Sequence, residues 1–173
     1  MKQISDDRIK HMHGVAEYMY KNALKYNLNP DDMYLLGLLH DIRYIHGKEK
    51  HEEHGAQMLS KYDYPYSWII EHHDWTPSMI KTEYYMSDED IPTELFLLWE
   101  ADMSIESTGR DAGKDVGFEK RLENIGKRLG QDHEAYINCN EIIGYLKLYS
   151  DQRKKKTKMV NLKVIKIKKF NID

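Results

Sequence analysis

Residues 29–41 read Asn-Pro-Asp-Asp-Met-Tyr-Leu-Leu-Gly-Leu-Leu-His-Asp, an apolar stretch that ends abruptly on two metal-binding side chains. Asn29 is a helix cap and Pro30 a first-turn proline, and Met33, Leu35, Leu36, Leu38 and Leu39 leave almost no polar face. A helix of this kind is buried at the centre of a bundle, and it ends near His40 and Asp41. Upstream, Ser5 with Asp6 and Asp7 forms a cap, and Ile9, Met12, Val15, Ala16, Met19 and Ala23 follow at helical spacing, predicting a first helix over 5–26. Downstream, 51–61 and 66–73 predict two shorter helices, broken at Tyr62 to Tyr66, with Pro77 closing the second. Pro92 opens a helix from Thr93 to about Glu106 that is apolar from Leu95 to Trp99. Phe118 to Leu129, stopped by Gly130, and Glu134 to Tyr149 supply two more. The pattern predicts an all-α helical bundle over 1–150.

The rest of the chain differs in character. Residues 151–173 carry nine Lys or Arg against two acids, a net +7 that leaves 1–150 at −10 within an overall charge of −3. Lysine alternates in part with Val, Leu, Ile and Phe from Val160 to Phe170, which suggests a strand or disorder. A lone strand has no partner in an all-α body, so this segment is expected to be a mobile basic tail. An acidic body excludes broad nucleic-acid binding, which needs a cationic face. A single cysteine, Cys139, forbids an intrachain disulfide and points to a reducing, cytoplasmic setting. The N-terminal MKQISDDRIK lacks the apolar stretch of a signal peptide. No run approaches the roughly 18 apolar residues needed to cross a bilayer, so no membrane contact is expected.

Histidine is the compositional oddity, with eight of nine residues falling between positions 11 and 73. Imidazole and carboxylate are ligands for zinc, iron and manganese, and adjacent helical residues such as His40 and Asp41 point about 100° apart, so that each can serve one side of a two-metal site. His11 lies one turn before Val15 on a largely apolar face, and Asp102 one turn beyond Leu98. Both are expected to face inward. A buried aspartate costs several kcal/mol unless a cation pairs with it, and either a metal or an arginine would do.

Three segments in this order resemble the motifs of the HD-domain superfamily of metal-dependent phosphohydrolases. Arg8-Ile-Lys-His11-Met-His-Gly-Val15-Ala16 is similar to the first, Leu38-Leu39-His40-Asp41-Ile42 to the second and Glu100-Ala101-Asp102 to the last. Two-metal members add two histidines between the second and last motifs. His51-Glu-Glu-His54-Gly55-Ala56 and Ile69-Ile-Glu-His72-His73 resemble those segments, with His51 and His72 in the aligned positions. The resemblance covers roughly 8–130. It implies a metal centre of His11, His40, Asp41, His51, His72 and Asp102 that holds two divalent ions, iron or manganese, with zinc or magnesium as substitutes. It further implies that a metal-activated hydroxide attacks the phosphorus of a small phosphorylated, nucleotide-like substrate. Asp41 would bridge the ions, while Arg43 or a nearby histidine, His73, would assist the leaving group. Lys48 and Arg110 are further phosphate-binding candidates. The same ligand set also resembles that of di-iron oxygenases acting on polyols or phosphonates, and a non-catalytic metal or ligand sensor is the third alternative. Oligomeric state is open.

Overall fold

The chain builds its helices where its caps stand. The Ser5 hydroxyl accepts the Arg8 amide, Asp6 and Asp7 fill the first turn, and α1 runs Asp6–Asn22. The Asn29 side chain accepts the amides of Asp31 and Asp32, Pro30 occupies the first turn, and α2 runs Pro30–Leu39. The order continues α3 His51–Ser60, α4 Ser67–Glu71, α5 Pro77–Tyr84, α6 Thr93–Asp102, α7 Phe118–Leu129 and α8 Glu134–Phe170. The computed structural model describes residues 4–42 and 51–170. Among these, only the isolated antiparallel bridge between Ile105 and Asp115 is extended pairing, so the protein is all-α.

Two helices without a polar face form the centre. Every residue of α6 from Leu95 to Ala101 is buried, and α2 buries Met33 and Leu36 completely. Against them α1 presents His11, Met12, Val15, Ala16 and Met19, one stripe at helical spacing. Ile142 and Leu146 of α8 close the core from the other side. The α1 and α2 backbones approach very closely at Gly37, where an added Cβ would lie 2.7 Å from Ala16 Cα and 2.9 Å from Ala16 N. Gly37→Ala is therefore expected to destabilise the protein by about 1–3 kcal/mol, despite the better helix propensity of alanine. A urea denaturation midpoint equal to that of wild type would refute this contact.

Two expectations change. Pro77 does not merely end a helix: the Thr76 hydroxyl accepts the Met79 amide and Pro77 is the first residue of α5, an element with weak apolar periodicity. The basic segment is helical rather than a strand through Phe170, because α8 continues across position 150. Lys, Arg, Met and Leu are good helix formers, and no proline or glycine follows Gly144 to stop the helix. Its first turn is tied to the body, with the Lys154 ammonium 3.0 Å from Glu100 Oε1 and Arg153 donating to the Ile91 carbonyl at 3.0 Å. Among the described residues, no helix is long and apolar enough to cross a membrane.

Candidate metal centre

Helices α1, α2, α3 and α6, with the turn after α4, deliver histidines and aspartates to one end of the core. Two of the rings are anchored in the same way. A carbonyl can only accept, so His11 Nδ1–H donates to Glu106 O (3.3 Å) and His40 Nδ1–H to Gly37 O (2.7 Å). That tautomer leaves Nε2 as a bare lone pair. The Nε2 atoms of His11 and His40 are both buried without a hydrogen-bond partner among the described residues. His11 Nε2 nevertheless lies 2.8 Å from Asp102 Oδ1, close but not aligned for a hydrogen bond. Two electron-rich atoms this close repel unless a proton or a metal ion lies between them, and the pair with His40 could hold such an ion.

The second half is built around Asp41, which is buried at the end of α2. Its Oδ1 faces His51 Nε2 at 2.9 Å and His73 Nε2 at 3.6 Å, while Oδ2 faces His40 Nε2 at 3.4 Å and pairs with the Arg8 guanidinium. His73 Nδ1–H donates to Ile70 O (2.7 Å), and its own carbonyl accepts the Trp99 indole N–H at 2.8 Å, so α6 pins the turn that carries it. Asp74, half exposed, stands 3.5 Å from His73 and 3.6 Å from His51. Three overlapping sets could each hold an ion, their ligand atoms lying within 4.8 Å of one another: His11, His40 and Asp102; His40, Asp41 and His73; and His51, His73 and Asp74.

His11, His40, Asp41, His51 and Asp102 thus converge, and His72 does not. The His72 ring stacks on Trp68 (centroids 4.3 Å apart), donates from Nδ1 to Trp68 O and accepts the Tyr84 hydroxyl at Nε2 (2.7 Å), so both nitrogens are used in an aromatic box. Its neighbour His73 turns into the cluster instead. His54 and His13 are exposed, and Arg110 is exposed on the turn at Gly109–Asp111. Arg43, His46 and Lys48 lie outside the described residues. Sequence reasoning passed over Asp74 and Arg8. Asp74 adjoins a histidine pair, and Arg8 precedes His11 by three residues, which places both on one face of α1.

Burial disfavours charge on Asp41, yet the His40, His51 and His73 rings outweigh it and hold the carboxyl well below the ordinary carboxylate range. Burial pulls His11 down despite Asp102 beside it, so this ring is neutral. Burial would also lower His51 and His73. The carboxylates of Asp41 and Glu52 nevertheless push His51 up to about 10, and those of Asp74 and Asp41 push His73 up to about 9. Without an ion, protons take the cation's place. Because both values are raised, the two rings are charged at pH 7 and a metal must displace those protons. Binding at pH 7 is expected to release up to about two protons, with apparent affinity rising as pH increases towards 9 and falling in acid. Calorimetry in buffers of different ionisation enthalpy reads this directly, and binding heats independent of buffer would contradict it.

The fold and the site together define an all-α protein with a buried, tautomer-fixed His/Asp cluster suited to divalent ions. The HD domain family model matches residues 8–107, and the chain belongs to the HD-domain superfamily of metal-dependent phosphohydrolases. No curated protein and no solved structure matches the sequence.

Proposed function

We propose that the protein is a metal-dependent phosphohydrolase that cleaves a phosphoester or phosphoanhydride of a small, nucleotide-like molecule. The observation that carries this reading is the convergence of four histidines on Asp41 and Asp102, with the His11 and His40 Nε2 atoms buried behind a cavity of about 620 Å³ that Asp41, His51, His73 and Asp102 line, a volume suited to a small-molecule substrate. His11, His40 and Asp102 would hold one ion, His51, His73 and Asp74 a second, with Asp41 between them. Bound divalent ions supply Lewis acidity, lowering the pKa of water and neutralising phosphoryl oxygens. The chain's own residues do the rest. Carbonyl anchors at Glu106, Gly37 and Ile70 keep the rings in one tautomer, so no reorganisation is needed when charge develops. Arg8 lines the same cavity and brings a fixed positive charge beside the Asp41 and Asp102 carboxylates, which would otherwise repel an anionic substrate.

The expected result is phosphate release from a panel of nucleotides by manganese- or iron-loaded protein, lost on chelation and restored by metal. Run without oxygen, the assay also separates hydrolysis from oxygen-consuming chemistry that the same donors could support. Oxygen uptake with no anaerobic phosphate release would overturn the hydrolase reading.

A further inference from the structure

Beyond the last residue of the family match, α7 forms a wall of the cavity that holds the His/Asp cluster. Arg121, Ile125, Arg128 and Leu129 all line it, at spacings of four, seven and eight residues, which is one face of a helix. Two arginines therefore share that wall with two apolar side chains.

The inner arginine is built in. Arg121 is buried, with Nη1 donating to Glu106 Oε1 and Ser107 Oγ at 3.0 Å each, while its Nε–H has no hydrogen-bond partner among the described residues. Glu106 is itself held by the Ser107 and Thr108 amides and the Asn124 side chain, so Arg121 is positioned by a saturated carboxylate rather than by solvent. The outer arginine, Arg128, bonds only the Thr108 hydroxyl, at 2.8 Å, and has no carboxylate partner among the described residues. Asp7 and Glu134 line the same cavity. Asp7 already accepts the Gly109 amide, and Glu134 is exposed at the start of α8. A cavity whose other acids gather at the His/Asp cluster thus also carries a cationic strip on α7.

We propose that Arg121 and Arg128 form an anion subsite that binds a second acidic group of the substrate, a phosphoryl or carboxyl group remote from the one cleaved. The inference rests on the hydrolase reading and narrows it to substrates with two anionic groups. Guanidinium is the side chain whose planar fork matches either oxyanion, and the apolar Ile125 and Leu129 on the same helix face suit the body of the molecule.

The test compares kcat/KM ratios in the manganese-loaded protein: adenosine 3′,5′-bisphosphate against adenosine 5′-monophosphate, and 3-phosphoglycerate against glycerol 3-phosphate. Arg128→Gln, an exposed change, and Arg121→Lys should lower the first ratio about tenfold if the group is phosphoryl, or the second if it is carboxyl, as expected from losing a charged hydrogen bond. Ratios equal to wild type for both variants overturn the subsite, whatever happens to overall turnover. Should wild type release no phosphate from any of the four, hydrolysis of these monoesters is excluded, and the hydrolase reading stands or falls on the nucleotide panel above. The subsite is then decided by calorimetry of the as-purified protein with the bisphosphate and with 3-phosphoglycerate. A Kd about tenfold weaker in Arg128→Gln for either probe upholds it, and equal Kd values for both reject it.

Discussion

Asp41→Ala is expected to strip the protein of bound divalent metal and to reduce phosphate release by roughly three orders of magnitude, because several kcal/mol of transition-state charge stabilisation disappear with the ions. One oxygen of this buried carboxylate faces His51 and His73, and the other faces His40 and Arg8. No other carboxylate among the described residues stands between the two sets of rings. Losing it leaves the Arg8 guanidinium without its ion-pair partner Asp41 and beside the rings, so a cation would meet repulsion as well as a missing donor. Metal analysis after saturation and dialysis, paired with an activity assay, measures both. A variant that kept its full metal content and turnover would remove Asp41 from the centre.

His73→Ala and His72→Phe should separate two neighbours. His73→Ala is expected to take metal content from two ions per chain to one and to abolish most activity, since His73 belongs to two of the three candidate sets. His72→Phe should retain both ions. It gives up the Tyr84 hydroxyl bond and the Trp68 carbonyl bond while keeping the ring stack, a stability loss of about 1–2 kcal/mol. The reverse outcome, with metal lost from His72→Phe and kept in His73→Ala, would mean that the turn after α4 is rotated by one residue relative to the structure. A fully loaded wild type with one ion per chain would instead reject the dinuclear reading while sparing the His11, His40 and Asp102 set.

This pair also marks where local reading stops. Sequence alone determined the all-α class, because caps such as Asn29 with Pro30 and the apolar runs of 33–39 and 95–99 are local signals. It also picked out His11, His40, Asp41 and Asp102, because each sits on or beside an apolar helical stripe whose direction is set by a 3.6-residue period, while His51 followed only from the resemblance to two-metal HD-domain proteins; the structure brings all five together. Tertiary structure alone decided between His72 and His73. Both are buried, both bond a carbonyl of their own helix end, and one residue turns a side chain by about 100°. The choice is made by distant partners: Trp99 of α6 draws in the His73 carbonyl, and Trp68, Trp75 and Tyr84 enclose His72. The placement of Arg121 was equally illegible, since it depends on Glu106, fifteen residues away, being locked by a loop whose shape no periodicity encodes. The helical course of 151–170 was missed for the opposite reason, because partial alternation outweighed plain helix propensity in a segment whose first turn is fastened to Glu100 and Ile91. Periodicity tells which face of an element is buried, whereas the identity of the atoms it meets depends on packing between elements far apart in the chain.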